Sequence, residues 1–147
     1  MSEQFNKGKQ LIVAIILGIL TYWLFAQSFL NIAPHVQRFY HVDMSIVNIA
    51  VSLTSLLTGV FIVVAGGLSD KIGRVKITNA GLILSILGSI ALIISHAPIL
   101  LLLGRVLQGL SAACLLPATI ALINSFFQGE ERQKVLSYWS FGSYGGT

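Results

Sequence analysis

Arg105 carries the largest chemical consequence in this chain, because it is a guanidinium inside an apolar stretch, Ile99 to Phe127, that holds no other ion. A charged side chain near the centre of a membrane-spanning helix costs about 2.5 to 3.5 kcal/mol on insertion scales unless it meets a partner or water. Gln108, Gly109 and Ala112 follow at i+3, i+4 and i+7, so on a helix they share the arginine's face and surround it with one polar amide and little bulk. This pattern fits a buried cation facing a watery cavity or a proton pathway. The structural alternative is an arginine that snorkels to the outer interface, which its closeness to Pro98 would allow.

A second cluster lies between two apolar segments, from Gly66 to Lys76. It gathers Asp70, Lys71, Arg74 and Lys76 with Gly66, Gly67 and Gly73, which predicts a loop held at one aqueous face and sharply turned. Weaker signals come from polar stripes. Asn48, Ser52, Ser55 and Gly59 share one helix face and either line a solute cavity or hydrogen-bond to neighbouring helices. Thr21, Ser28 and Asn31 form a similar, thinner face beside Tyr22, Trp23 and Phe25, whose rings could wall a flat ligand or simply pack. Gly81, Ser85, Gly88 and Ser89 approach the small-xxx-small spacing that lets helices pack closely, and are read as structural.

Other chemistries find no residues. The carboxylates Glu3, Asp43, Asp70, Glu130 and Glu131 all fall in loops or at the N-terminus, which argues against a small four-helix exporter driven by an intramembrane glutamate. No serine, histidine and carboxylate set occurs at membrane depth and there is no phosphate loop, so the chain is not expected to be an enzyme. His35, His41 and His96 lie in or beside outer loops without metal spacing, and no metal site or cofactor is expected. The single cysteine, Cys114, reads as a small packing residue.

These side chains must be positioned by helices that cross a membrane. Leu11–Ala33, Ser45–Leu68, Ile77–Ser95 and Ile99–Phe127 are each long enough, given the about 20 residues a helix needs to span a bilayer. Continuous apolar runs favour helices over a barrel, whose strands alternate. The expected fold is therefore all-α, a polytopic transmembrane helix bundle. Composition agrees: 55% of residues are hydrophobic and only 10% charged, with a mean hydropathy of +0.85.

The net charge of +4 does not indicate nucleic acid, because the cations are distributed by loop. Lys7, Lys9, Lys71, Arg74, Lys76, Arg132 and Lys134 fall on one side and Arg38 on the other, which places the N-terminus in the cytoplasm of a multi-pass cell-membrane protein. The first apolar run is too long for a cleaved signal peptide. After a loop from Gln128 to Lys134, Val135–Thr147 is apolar but too short to cross the roughly 30 Å core. Residues 1–147 are thus expected to be a partial N-terminal bundle whose C-terminal half lies elsewhere.

With this topology the chain resembles the major facilitator superfamily. The turn matches the signature GxLxDxxGR as Gly66, Leu68, Asp70, Gly73 and Arg74, with Lys71 at a position usually basic. The fourth span matches LxxxRxxQGxxAA as Leu101, Arg105, Gln108, Gly109, Ala112 and Ala113. Leu115-Leu116-Pro117-Ala118 resembles the fourteen-span drug:proton antiporter branch. Phe25-Ala26-Gln27-Ser28 and Ser137-Tyr138-Trp139-Ser140 are similar to its quinolone efflux pumps.

The resemblance implies that Asp70, Lys71 and Arg74 belong to a cytoplasmic charge network that locks one conformation. It also implies that Arg105, with Gln108 and Gly109 beside it, is linked to proton coupling. Many relatives carry an aspartate five residues before the position of Asn31, where this chain has Ala26, so the resemblance names no proton carrier. The implied activity is proton-coupled efflux of amphipathic drugs by alternating access, with drug, protons, the lipid bilayer and the missing half as partners. The alternatives are a metabolite or sugar carrier of the same superfamily, or a truncated membrane protein that transports nothing because rocking needs a second bundle.

Overall fold

The computed structural model describes residues 2–95 and 97–144, and the side chains of these apart from 2–7, 9, 25–27 and 144. His96, Gly145, Gly146 and Thr147, and the side chains of Glu3, Lys7, Lys9, Phe25, Ala26 and Gln27, lie outside that description. Six helices joined by short connections make up the described residues: α1 (Ser2–Asn31), α2 (Ala33–Tyr40), α3 (Met44–Ile72), α4 (Arg74–Ile93), α5 (Pro98–Phe126) and α6 (Gly129–Tyr144). Among the described residues, four segments are long and apolar enough to cross a membrane: Gln10–Asn31, Met44–Ile72, Arg74–Ile93 and Pro98–Phe126.

α5 is the central helix. Of its most apolar 18 residues 50% are buried, against 13 to 17% for the other three, so it packs on several sides while they keep wide apolar faces outward. At one end it meets α1 and α6 in a cluster of Ile15, Ile19, Leu122, Ile123, Phe127 and Val135. At the other end Leu101 joins Phe29 of α1, Val36 of α2, and Val47 and Ala50 of α3.

Small residues set how closely α4 approaches α5. A Cβ built on Gly88 would lie 3.0 Å from the Gly104 carbonyl oxygen, and one on Gly104 would lie 3.1 Å from that of Gly88. Ser111 donates a hydrogen bond of 2.7 Å to the Gly81 carbonyl. The stripe of small residues in the third apolar segment is therefore a packing face, as its spacing indicated. Its Ser89 bonds inside its own helix, to the Ser85 carbonyl.

The helices differ from the sequence expectation at three places. The charged loop shrinks to a single residue: α3 continues through Asp70 and Lys71 to Ile72, α4 begins at Arg74, and only Gly73, at φ 117°, leaves the helix. Polar residues past the membrane edge can stay helical in water, so charge marks the aqueous boundary without ending the helix. A left-handed φ that glycine adopts without strain supplies the turn.

The segment between the first two apolar helices contains a short helix, α2. Pro34 lies in its first turn, where its fixed φ is already helical and its missing N–H has no helical acceptor to lose. His41, at φ 51°, ends it. The segment after Phe127 is helical from Gly129, so Glu130 to Lys134 form the start of α6 and not a loop; Glu130 and Glu131 in the first turn favour the positive end of the helix dipole.

Candidate functional site

Arg105 does not snorkel. It is 2% exposed and held on α5 between α1 and α3. Its Nη1 donates to Gln108 Oε1 at 2.7 Å, one helical turn along, and its Nε donates to the Ala50 carbonyl of α3 at 3.4 Å. The guanidinium carbon stands 4.3 Å from the centre of the Phe29 ring of α1. Every one of these partners is neutral, and among the described residues no carboxylate pairs with this charge. A cation held this way exchanges part of its hydration for an amide, a carbonyl and a ring face.

The backbone around it is held by α3. Thr54 Oγ1 donates to the Arg105 carbonyl at 3.1 Å, and Thr58 Oγ1 to the Gly109 carbonyl at 3.1 Å. Gly109 makes this approach feasible, since a Cβ there would lie 2.7 Å from the Thr54 carbonyl oxygen. The two threonines are one turn apart on α3 and bond carbonyls one turn apart on α5, so they fix the register between the helices. Neither threonine nor Phe29 stood out in the sequence. The Thr54 and Thr58 pair at i,i+4 was the one visible signal, and threonine in a span commonly bonds its own helix, as both of these also do.

A cavity of about 360 Å³ opens beside Arg105, lined from α1 by Tyr22 and Trp23, from α3 by Thr54, Ser55, Thr58 and Gly59, and from α5 by Arg105 itself. The indole Nε1 of Trp23 is buried and has no hydrogen-bond partner among the described residues. A more apolar cavity of about 350 Å³ reaches Gln108 from the side of Ser28, Phe29, Tyr40 and Ser89. Of the sequence-predicted cavity residues, Ser55 joins the Arg105 cavity. Asn48 and Ser52 lie exposed in a separate groove with Ile49, Leu53 and Leu56. Asn31 is exposed at the last residue of α1.

The charged turn forms a compact second site at the other end of α3. Arg74 Nη2 lies 3.4 Å from Asp70 Oδ1 across the Gly73 break, and Arg74 Nη1 donates to the Ala121 carbonyl of α5 at 3.0 Å. Arg74 thus ties both helices of the turn to the central helix. Gly66 faces Pro117 of α5, where a Cβ would make ordinary contact at 3.6 Å. Leu68, Asp70 and Lys71 are exposed, so the carboxylate has room for a further partner.

Two helices that carry a charged turn, and a third with a buried arginine seated on them, reproduce in three dimensions the two motifs that the sequence placed far apart. Comparison with known proteins covers the same ground. The chain is 52% identical over 145 residues to the quinolone resistance protein NorB of Staphylococcus aureus, in strains JH9, Newman and COL among others. That alignment takes in 99% of this chain and 31% of the relative's length, so the chain spans about a third of the proteins it resembles. A family model, the Major Facilitator Superfamily, matches residues 11–147, from the first apolar helix through both sites, and the chain belongs to that superfamily.

Proposed function

We propose that this chain is part of a proton-driven exporter of amphipathic drugs that works by alternating access. The observation that carries this reading is Arg105: a permanent charge buried at membrane depth among neutral partners, beside a cavity with aromatic walls. Such a charge responds to protonation of any acid that comes near it, which is what coupling to a proton gradient requires. Similarity to a quinolone resistance protein over the full length of the chain supports drugs as the cargo. The cation-rich turn at Lys71, Arg74 and Lys76 supports a cytoplasmic N-terminus. Export is tested in everted membrane vesicles containing the full-length protein. An imposed pH gradient should drive accumulation of a lipophilic dye, and a protonophore should collapse it; accumulation that ignores the gradient contradicts the proposal.

In this reading Asp70 and Arg74 form the cytoplasmic latch. Their pair is exposed, 66% at Asp70 and 36% at Arg74, so it contributes no more than about 1 kcal/mol to the fold. Asp70→Asn is therefore expected to leave thermal stability nearly unchanged and dye affinity intact while slowing efflux several-fold. A variant that loses affinity but cycles normally would rule out the latch.

A further inference from the structure

The cavity between α1, α3 and α5 has an imbalance of hydrogen-bond donors. Arg105 has five N–H bonds and no acceptor function, and remains charged at any physiological pH. Two of those donors are used, by Gln108 and by the Ala50 carbonyl, while Nη2 makes no hydrogen bond among the described residues. Trp23, which lines the same cavity, holds a buried indole N–H that likewise has no acceptor among the described residues. The hydroxyls nearby do not correct this. Thr54 and Thr58 donate to backbone carbonyls, Ala50 and Arg105 for the first, Thr54 and Gly109 for the second, and among the described residues neither oxygen accepts a hydrogen bond from Arg105 or Trp23.

A buried polar donor left without an acceptor, as the Trp23 indole N–H is, costs about 1 to 3 kcal/mol. The complement to a guanidinium edge and an indole N–H is a group with two acceptor oxygens and a negative charge. Ionised carboxylates meet this description, and a planar guanidinium matches their geometry with parallel hydrogen bonds. The rings of Tyr22 and Trp23 at the wall favour a flat apolar body attached to that group. A volume of about 360 Å³ lies within the range of small-molecule sites.

We propose that this cavity binds aromatic compounds through a carboxylate, with Arg105 as the anion anchor and the Trp23 N–H as a second donor. The proposal rests on the transporter reading and names the class of cargo that the site prefers. Its test needs no gradient, so its failure is separable from failure of proton-driven export.

Binding of naphthoate and of its methyl ester to the full-length protein in lipid nanodiscs is compared by isothermal titration at neutral pH. The two probes share one ring system and differ in charge at one end. The acid is expected to bind at least about tenfold tighter than the ester, the scale of one hydrogen bond to a charged group. Arg105→Gln should bring that ratio to about one. Trp23→Phe keeps an aromatic ring, removes the N–H, and should lower the ratio several-fold. Equal binding of acid and ester to the unaltered protein, a measurement that depends on no variant folding, overturns the proposal. So does a preference for the acid that survives Arg105→Gln.

Discussion

Replacing Gly109 with valine is expected to remove most of the folded protein from detergent extracts, and Gly109→Ala to lower the melting temperature clearly. The reason is backbone, not side chain. A Cβ at this position would sit 2.7 Å from the Thr54 carbonyl oxygen, 3.0 Å from Leu57 Cβ and 3.2 Å from Thr54 Cα, and two of those three atoms belong to the main chain of α3. They cannot turn aside as a flexible side chain could. Relief requires α3 to move off α5, which stretches the bonds from Thr54 to the Arg105 carbonyl and from Thr58 to the Gly109 carbonyl. Overpacking of this kind costs about 1 to 3 kcal/mol for a single methyl and more for a branched side chain.

The control is Gly67→Ala, on the same helix pair's outer face. No atom lies within 4 Å of a Cβ there, and alanine is the better helix former by about 1 kcal/mol. Thermal denaturation followed by circular dichroism should therefore separate the two variants in opposite directions. Equal melting temperatures would mean that the α3–α5 contact does not hold the bundle together.

How much of this was legible beforehand depends on which helix supplies each partner. Gln108 lies one turn from Arg105 on the same helix, so periodicity alone placed the amide beside the guanidinium. Gly81 and Gly88 were legible for the same reason: a run of small residues on one face marks a close crossing whatever the neighbour. The rest of the arginine's surroundings comes from other helices. Ala50 is 55 positions away and Thr54 is 51, and no local pattern encodes which turn of α3 faces which turn of α5.

Phe29 illustrates the same limit, since an aromatic in a span looks alike whether it faces lipid or a cation. At the charged turn, sequence located the site and misjudged its length. Glycine and charge both suggested a loop from Gly66 to Lys76, and one left-handed residue, Gly73, does the turning. The short helix α2 was missed because eight residues between two apolar runs carry too little periodicity to distinguish a helix from a loop.

Arg105→Ala is expected to reduce proton-driven dye efflux to the level of vesicles that lack the protein, with membrane insertion intact. Insertion survives because opposing terms nearly balance. Removing the guanidinium relieves the about 2.5 to 3.5 kcal/mol insertion penalty of a charge at membrane depth. It forfeits the contact with the Phe29 ring, worth about 2 kcal/mol when desolvated. It also leaves Gln108 Oε1 without its donor, at about 1 to 3 kcal/mol.

The bundle that remains still has the Thr54 and Thr58 bonds, which use the main chain of α5 and not the arginine side chain. Arg105→Lys separates charge from geometry. A lysine keeps the cation, but its compact ammonium cannot hold the Ala50 carbonyl and the Gln108 amide in the arginine's forked arrangement. If charge is what couples, the lysine variant retains measurable efflux while the alanine variant has none. An uncharged dye must be used, because it has no carboxylate to lose and its efflux reports coupling apart from anion anchoring. Efflux of that dye at the unaltered rate in Arg105→Ala, normalised to protein in the membrane, would remove Arg105 from the coupling path.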